Sequence, residues 1–383
     1  MLNWIPLLLG IFVLYYAGVM LAFAYGFQRM KRKSQRISSQ PPTSYPSVSV
    51  IIPARDEAHV IARCLHSVFA CDYPPDKLEV IVVDDLSKDD TPQIVQELQR
   101  QYASLRLLHM PENLPRTRAH KKRAIEKGIY QATGDIIMTT DADCIVPREW
   151  IKRMVAHFQP GVSFVSGPVA YLYQQDIWSQ ILALEFLGLV AIGAGAIGIR
   201  RPNMCNGANL AYRKDTFMAL GGFSGIDHLT SGDDELLMQK IAEEDPDAVS
   251  FCADAQAIVL TEPVQSVRAF FEQRKRWASK GARYPSKTLV LSIAFIYLFY
   301  AFLLCATALS IGFPELLPVT AGAWMLKMGS ELTLMLPAVR FFNQVRLLKW
   351  FIPAQVLQLP YVVLVGLAGT FWSYEWKDRT IVR

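Results

Sequence analysis

Four long apolar runs are the feature that most limits what this chain can fold into. Each holds about twenty residues with few charges, and a helix of that length crosses the roughly 30 Å hydrocarbon layer of a bilayer. Between the first and second runs lies a stretch of mixed composition, which predicts one folded domain outside the bilayer. The four runs are residues 4–27, 289–311, 316–338 and 350–372.

A cluster of basic residues follows the first run and predicts its orientation. The cluster contains no acid, so the positive-inside rule places the following domain in the cytoplasm. The first run also lacks a basic leader and a small-residue cleavage site, which favours a retained anchor over a cleaved signal peptide. Because the cluster is explained as a topology signal, the net charge of +5 does not require a nucleic-acid partner, and none is predicted. Its members are Arg29, Lys31, Arg32, Lys33 and Arg36.

The six cysteines are scattered and form no C-x-x-C pair. This spacing is typical of reduced thiols in a cytoplasmic domain, and it favours neither a disulfide framework nor a zinc site.

Short apolar runs alternate with helical patterns after the first anchor. Such alternation predicts an α/β fold, with a mainly parallel sheet covered by helices on both faces. Ligands of such sheets bind at the carboxyl ends of the strands. Residues 181–199, apolar except for Glu185, are predicted to be a packed or interfacial helix and not a further span. The predicted strands are residues 48–52, 78–83, 105–108 and 135–140, and the predicted helices are residues 57–69, 91–101 and 121–132.

Acidic residues stand where two of these strands end. Asp84 and Asp85 are poor strand formers, so they indicate either a ligand such as a nucleobase or ribose, or a helix cap with its turn. Asp141 and Asp143 follow the last strand, and side chains two residues apart on an extended segment point the same way. Mg²⁺ and Mn²⁺ take oxygen ligands, typically one or two carboxylates plus substrate phosphates. The pair therefore predicts a metal-dependent site for a diphosphate.

Three later strings carry weaker signals, each with two interpretations. The polar residues among 206–209 could line a sugar pocket. Asp233 and Asp234 precede a helical stretch at residues 236–242, where they fit a helix cap or a general base for an acceptor hydroxyl. Three residues farther on share one helix face and fit either diphosphate and sugar binding or an interfacial helix with basic and aromatic anchors. These are Gln273, Arg276 and Trp277.

In this order, the strings resemble the family 2 glycosyltransferases, which are inverting enzymes with the GT-A fold. The resemblance runs from about residue 48 to residue 280, with the flanking membrane helices. The last string resembles the Q-x-x-R-W motif of ceramide glucosyltransferase-like and polysaccharide synthase-like members. The matching parts are residues 50–57, residues 82–87, Asp141-Ala142-Asp143, Asp233-Asp234 and Gln273-x-x-Arg276-Trp277.

The resemblance implies roles on the donor side of the site. Lys121 would approach the diphosphate, Asp141 would support the donor, and Asp143 would ligate Mg²⁺ or Mn²⁺. Gln273 and Arg276 would hold the diphosphate. Four residues would contact the nucleoside of a UDP-sugar: Pro53, Arg55, Glu57 and Asp85.

The resemblance also implies roles on the acceptor side. Asp234 would be the catalytic base, and Asp233 and Trp277 would frame the acceptor. The chain departs from the family at His120, where members often carry Gly, and at Asp233, where they often carry Glu. Glu235 therefore stays an alternative base.

The implied reaction is a single displacement at the anomeric carbon, which inverts its configuration. We expect a nucleotide-sugar donor and a lipid or lipid-linked acceptor at the cytoplasmic face of the cell membrane. About four spans are few for the polymer channel of a polysaccharide synthase, the alternative. A non-catalytic scaffold would predict decay of the metal pair or the base, neither of which has decayed. A nucleotidyltransferase would release pyrophosphate in place of a nucleoside diphosphate.

The chain thus divides into six predicted segments. Lys327 and Glu331 stand four residues apart inside the third apolar run, where they could pair or mark a re-entrant segment. The sequence leaves open whether this run spans, and so on which side of the membrane the tail lies. The segments are an anchor (1–28), a basic linker (29–46), a GT-A domain (47–265), an interfacial helix with the motif (266–287), a transmembrane region (288–374) and a tail (375–383).

Overall fold

The computed structural model describes residues 4–39, 44–111, 119–172, 176–226, 232–279, 284, 286–371, 374–376 and 379–381. The chain divides into two compact units. The sheet unit comprises Gly26–Leu172 and Gly193–Glu262, and the helical unit comprises Met1–Tyr25, Tyr173–Ile192 and Pro263–Arg383.

Seven strands of the sheet unit form one mixed sheet in the order β3-β2-β1-β4-β7-β5-β8. The first four in this order are parallel, β7 runs antiparallel between β4 and β5, and β8 pairs in parallel with β5. This order confirms the predicted α/β fold with a mainly parallel sheet. The strands are β1 (Val48–Ala54), β2 (Leu78–Asp84), β3 (Leu105–His109), β4 (Ile136–Thr139), β5 (Phe164–Ser166), β6 (Val169–Tyr171), β7 (Leu210–Arg213), β8 (Val249–Phe251) and β9 (Val259–Thr261), where β6 and β9 form a separate parallel pair.

Helices connect and cover these strands. Those bounded within the sheet unit are short, whereas the long apolar ones lie wholly or partly in the helical unit. The helices are α1 (Trp4–Ser38), α2 (Ile61–Phe69), α3 (Thr91–Gln99), α4 (His120–Gln131), α5 (Trp150–Val155), α6 (Ile177–Gly198), α7 (Lys214–Ala219), α8 (Glu235–Glu244), α9 (Val267–Ala278), α10 (Lys287–Leu309), α11 (Leu317–Phe341) and α12 (Phe351–Phe371).

The core of the sheet unit forms around β1 and β2. Val50, Ile51 and Ile52 are fully buried in succession, as expected for a parallel strand covered on both faces. Gly128 lets α4 approach this strand closely, because a Cβ there would stand 2.7 Å from Cγ2 of Ile51. The predicted strands agree with the observed ones to within two residues at each end.

The helix predicted from residue 57 begins four residues later, at Ile61. A turn takes its place, because side chains of the β2–α3 loop and of the first residue of α3 accept hydrogen bonds from the backbone N–H groups that precede Ile61. Glu57 N–H donates to Thr91 Oγ1 at 2.8 Å, and Ala58 N–H donates to Asp89 Oδ2 at 2.9 Å.

The last turns of α1 belong to the sheet unit and pack tightly within it. A Cβ on Gly26 would lie 2.0 Å from the backbone oxygen of Gly195, and one on Gly198 would lie 2.0 Å from that of Gly26. Only glycine therefore fits at this contact between α1 and α6. Phe27 is fully buried, and Ser34 Oγ accepts from the backbone N–H of Ala253 at 2.8 Å. The helix covers the predicted linker, residues 29–46, as far as Ser38.

Four helical stretches among the described residues are long and apolar enough to cross a membrane: α1, α6, α10 and residues 345–369. In the most apolar stretch of α6, 67% of the residues are buried within the protein, whereas in that of α10 only 22% are. This difference favours the predicted packed helix over a membrane span for α6. The third apolar run, residues 316–338, for which the sequence leaves spanning and re-entrant courses both open, forms helix α11, and α11 is not one of the four. Lys327, Glu331 and Arg340 within it reduce its apolar character. The tail adds an antiparallel hairpin of β10 (Tyr374–Trp376) and β11 (Arg379–Ile381), and Lys377 and Arg383 lie outside the described residues.

A buried polar network joins the helices of the helical unit. Lys327 Nζ lies 2.7 Å from Glu331 Oε1, which confirms the predicted pairing of these two residues. Lys327 also donates to Gln355 and, at 3.0 Å, to Gln358, both on α12. Tyr16 of α1 donates its hydroxyl to Glu331. The network therefore links α1, α11 and α12 inside an otherwise apolar bundle.

Candidate active site

The carboxyl ends of β1 and β2 bring Arg55 and Asp85 together. Arg55 Nη1 donates to the backbone oxygen of Asp85 at 2.7 Å and lies 3.8 Å from its carboxylate Oδ2. Nδ1 of His120 lies 3.7 Å from the other carboxylate oxygen. Pro53, within β1, and Glu57, in the turn after it, stand at the same strand end. All of the predicted nucleoside contacts therefore converge on one edge of the sheet.

The backbone beside this edge is strained. Asp56 and Leu86 adopt the left-handed region, with φ of 53° and 61°, which a branched residue such as leucine rarely does. Hydrogen bonds hold the two loops in place: Asp56 N–H donates to Ser87 Oγ at 3.0 Å, and Lys88 N–H donates to Asp56 Oδ1 at 2.7 Å. Strained residues held by their surroundings cluster at ligand-binding sites, so the strain marks this edge as a candidate site.

Asp141 and Asp143 follow β4 at the same edge of the sheet. Asp141 is 36% exposed and accepts a hydrogen bond from Lys121 at 2.7 Å. Asp143 is more enclosed: Thr261 Oγ1 donates to its Oδ2 at 3.2 Å, and the Cys144 thiol donates to its Oδ1 at 3.6 Å. Burial, and then the charge of Asp141, raise the pKa of Asp143 above its ordinary value. The two carboxylates are thus near enough for their negative charges to repel each other.

This carboxylate pair has the chemistry of a partial ligand set for a divalent cation. Among the described residues, no three Asp, Glu, His or Cys side chains converge on one point that could hold a metal. Mg²⁺ and Mn²⁺ sites in enzymes of phosphorylated substrates commonly use one or two carboxylates and complete their shell with phosphate oxygens and water. Asp141 and Asp143 are both negatively charged, and a divalent cation beside them would relieve their repulsion.

Lys121 joins the predicted metal pair to the predicted base motif. Its Nζ lies 2.7 Å from Asp141 Oδ1 and 3.5 Å from Asp233 Oδ2. Burial would lower the pKa of Lys121, but the charges of Asp141, Asp233 and Asp234 outweigh burial and hold this pKa above its ordinary value. The ammonium group therefore stays charged between two sets of carboxylates.

Asp234 caps helix α8, and its carboxylate is held at both oxygens. Oδ1 accepts from the backbone N–H of Glu235 at 2.8 Å, and Oδ2 accepts from the N–H of Gly207 at 3.1 Å. The cap and the base interpretations of this motif are thus compatible. Gly207 was not singled out as a site residue, yet a Cβ there would stand 3.3 Å from Asp233 Oδ2 and 3.4 Å from Lys121 Nζ.

Asn209, the residue immediately before β7, is structural and does not line a pocket. It is fully buried, and its side chain makes three hydrogen bonds. Oδ1 accepts from Trp150 Nε1 at 2.8 Å, and Nδ2 donates to the backbone oxygens of Pro168 and Ala257 at 2.8 and 2.9 Å. Its sequence neighbour Gly207 reaches the site through backbone atoms alone, which leave no trace in a pattern of polar side chains.

The predicted Q-x-x-R-W residues lie on α9 in the helical unit. Gln273 and Trp277 both contact a residue that the sequence did not single out, Arg274. The Arg274 guanidinium lies 4.1 Å from the ring centroid of Trp277, and its Nη1 donates to Gln273 Oε1 at 2.8 Å. Arg276 is half-buried on the same helix.

Two family models match the chain. The model described as "Glycosyl transferase family 2" matches residues 49–219, and "Glycosyl transferase family group 2" matches residues 136–373, more than half of the chain. Glycosyltransferase AglE of Haloferax volcanii is 32% identical over 193 residues, covering 50% of this chain and 60% of AglE. A beta-monoglucosyldiacylglycerol synthase of Synechocystis is 34% identical over 114 residues, covering 30% of this chain and 23% of the synthase. The matches thus span less than two thirds of either relative.

A solved structure shows the same fold. The mannosyltransferase PcManGT from Pyrobaculum calidifontis, in complex with GDP-Man and Mn²⁺, has a TM-score of 0.54 at 22% sequence identity, and the match covers 94% of this chain and 98% of that one. This likeness concerns the fold, and it agrees with the mainly parallel sheet described above. From the family matches and this fold, the chain belongs to the family 2 glycosyltransferases and has a GT-A fold.

Proposed function

We propose that the protein is an inverting, metal-dependent glycosyltransferase that moves a sugar from a UDP-sugar to a lipid or lipid-linked acceptor. The observation that carries this proposal is the cluster in which Lys121 lies between Asp141 and the Asp233-Asp234 pair. Such a cluster places a fixed positive charge and a fixed carboxylate within one small region. Transfer from a nucleotide sugar needs both, the first for the diphosphate and the second for the acceptor proton.

The donor side of the proposal uses the edge formed by β1, β2 and β4. Asp85, held by Arg55 and His120, would accept hydrogen bonds from the nucleoside, and Pro53 and Glu57 would border it. From its place between its carboxylate partners, Lys121 would also approach the diphosphate. Gln273 and Arg276 would also hold the diphosphate, since a guanidinium pairs well with phosphate oxygens.

A divalent cation on Asp143, beside Asp141, would neutralise the charge that develops on the departing diphosphate. The enclosure of Asp143 beside a second carboxylate supports this assignment, because burial and then the charge of Asp141 raise the pKa of Asp143.

The acceptor side uses Asp234 as general base. Its two backbone hydrogen bonds, from Gly207 and Glu235, fix the carboxylate before substrate arrives. Asp234 would take the proton of an acceptor hydroxyl while that oxygen bonds to the anomeric carbon and the bond to the diphosphate breaks. A single displacement of this kind inverts the anomeric configuration. Asp233 and Trp277 would frame the acceptor.

The helical segments support the proposed acceptor and location. Within the described part of the chain, four helical stretches are long and apolar enough to cross a membrane, and one relative is named as a beta-monoglucosyldiacylglycerol synthase, which supports a lipid acceptor. Arg29, Arg32 and Arg36 are exposed near the end of α1, which supports a cytoplasmic sheet unit in a multi-pass protein of the cell membrane.

Transfer can be tested directly with the full chain in lipid nanodiscs. Purified protein is incubated with Mn²⁺, a lipid extract, and in turn UDP-glucose, UDP-N-acetylglucosamine and GDP-mannose. Mass spectrometry then identifies any glycosylated lipid, and a coupled assay measures nucleoside diphosphate. We expect lipid product with stoichiometric nucleoside diphosphate. Release of pyrophosphate, or the absence of any glycosylated product, would contradict the proposal.

Two variants test the assigned roles. Asp234→Asn should lower kcat by about 100- to 10,000-fold, the range of general-base catalysis, while donor binding is kept. Asp143→Asn should abolish the metal-dependent rate. Glu243→Gln, an exposed residue of α8, is the matched control and should leave the rate unchanged. Lost donor affinity in Asp234→Asn, or a normal rate in Asp143→Asn, would show that the role is misassigned.

A further inference from the structure

A buried arginine on α9 contacts two of the three motif residues at once. Arg274 is only 5% exposed. Its guanidinium carbon Cζ lies over the indole of Trp277, 4.1 Å from the ring centroid, and over the ring of Phe270, 4.8 Å from that centroid. The edge of the same group donates through Nη1 to Gln273 Oε1 at 2.8 Å. One side chain thus fixes the ring of Trp277 and the amide of Gln273 relative to each other.

The arginine is itself fixed from two other helices of the helical unit. Its Nε donates to Glu185 Oε1 of α6 at 3.2 Å, and its Nη2 donates to Glu185 Oε2, so the carboxylate is held by two parallel bonds. Tyr361 of α12 donates its hydroxyl to Glu185 Oε1 at 2.5 Å. Glu185 is the sole charged residue in an otherwise apolar helix segment, residues 181–199. A charge in such a segment is costly unless it is paired and hydrogen-bonded, as here.

The geometry uses properties that only arginine has. A guanidinium is planar and has five N–H donors in a rigid fork, so it can stack on an indole while pairing in bidentate fashion with a carboxylate. A lysine at the same position keeps the charge and can reach Glu185, but its ammonium group cannot stack on Trp277 and bond Gln273 at once. An ion pair to Glu185 alone would not require the contacts of Arg274 with Gln273 and Trp277.

We propose that Arg274 is a positioning residue that orients Gln273 and Trp277 for the transfer reaction, with Glu185 and Tyr361 as its support. This inference rests on the proposed function, in which Gln273 contacts the donor diphosphate and Trp277 frames the acceptor. Arg274 itself acts through these neighbours and not on the substrate.

Arg274→Lys separates positioning from ion pairing. In the full chain in nanodiscs, it should leave the melting temperature within about 2 °C, because the buried charge stays paired. With the nucleotide sugar that the wild type consumes, it should lower kcat/KM by about 10- to 100-fold, the cost of a misplaced contact residue. Arg268→Lys makes the same change at an exposed position of α9 and should leave kcat/KM unchanged.

A charge swap distinguishes positioning from a purely structural role. In Glu185→Arg/Arg274→Glu the ion pair can re-form, so the melting temperature should recover relative to Arg274→Glu alone. The rate should stay low, since a carboxylate at position 274 can neither stack on Trp277 nor donate to Gln273 Oε1. Recovery of both the melting temperature and kcat/KM would show that the pair is only structural and would overturn the proposal.

A second readout does not depend on turnover. The protein is labelled with 5-fluorotryptophan, and its Trp277 ¹⁹F resonance is assigned by its loss in Trp277→Phe. Arg274→Lys should shift or broaden this resonance, whereas Arg268→Lys should not. An unchanged Trp277 resonance, or a normal kcat/KM in Arg274→Lys beside a strongly impaired Trp277→Phe, refutes the positioning role and leaves the proposed function intact. A wild-type chain that transfers no sugar from any donor refutes the proposed function, and the resonance then still decides whether Arg274 orients Trp277.

Discussion

Replacing Lys327 with methionine should destabilise the helical unit by about 3 kcal/mol. Lys327 is fully buried and donates hydrogen bonds to Glu331, Gln355 and Gln358. Interhelical hydrogen bonds in membrane proteins average about 0.6 kcal/mol, so the two to Gln355 and Gln358 of α12 set a lower limit of about 1 kcal/mol. Removing one partner of a buried ion pair costs about 3–5 kcal/mol, which sets the upper range.

The remaining partners of Glu331 keep the expected cost below that upper range. After the substitution, its carboxylate still accepts hydrogen bonds from Tyr16 and from Gln355. These donors compensate part of the charge that Lys327 no longer balances. The double variant Lys327→Met/Glu331→Gln removes both charges, so it should recover most of the lost stability, as replacing a buried ion pair by neutral groups often does.

The assay is equilibrium unfolding of the full chain in mixed micelles, followed by circular dichroism. Lys349→Met is the matched control, because it makes the same chemical change at an exposed position of the helical unit. It should change the free energy of unfolding by less than about 0.5 kcal/mol. A cost below about 1 kcal/mol for Lys327→Met, or a double variant less stable than Lys327→Met, would refute the view that Lys327 and Glu331 each compensate the buried charge of the other.

Two further predictions concern the sheet unit. Burial lowers the pKa of His157 to about 4, below its ordinary value near 6.5, so its neutral form is favoured by folding. The stability is therefore full above pH 6.5 and should fall by about 3 kcal/mol as the pH drops to 4. Melting temperatures from pH 7 to pH 4 check this, and a His157→Gln variant with the wild-type pH slope would refute it. Gly207→Ala should lower the transfer rate by about tenfold or more, because its methyl group would crowd Asp233 and Lys121. Gly10→Ala, where a methyl group meets only open space, is the control, and equal rates in the two variants would show that crowding at the site is harmless.

The sequence predicted the sheet and the acidic strand ends because both depend on local patterns. Apolar runs such as residues 48–52 must be buried on both faces, so they report directly on the sheet. Carboxylates after such runs lie at one edge by topology alone, which is why Asp85 and Asp141 could be placed without a structure. Their assignment to a nucleotide donor came from the resemblance and stays a prediction.

Contacts between distant segments could not be predicted in this way. Gly207 reaches Asp234 through a backbone N–H, and no side-chain pattern reports on a backbone donor. Arg274 looked like one more basic residue of an interfacial helix, because its partner Glu185 is 89 residues earlier in the chain. The composition of residues 316–338 leaves open whether this run spans, and it carries no information on the partners of Lys327 on α12.

The close contact of Gly26 with Gly195 and Gly198 bears on how this enzyme can be shortened for work in solution. A truncation that removes all residues before β1, on the assumption that α1 serves only as an anchor, would also remove Phe27 and the contact of Gly26 with α6. The truncation would expose apolar surface that Phe27 covers, and the truncated protein would aggregate. A water-soluble fragment should begin no later than Gly26, so that the final turns of the helix are kept as part of the fold.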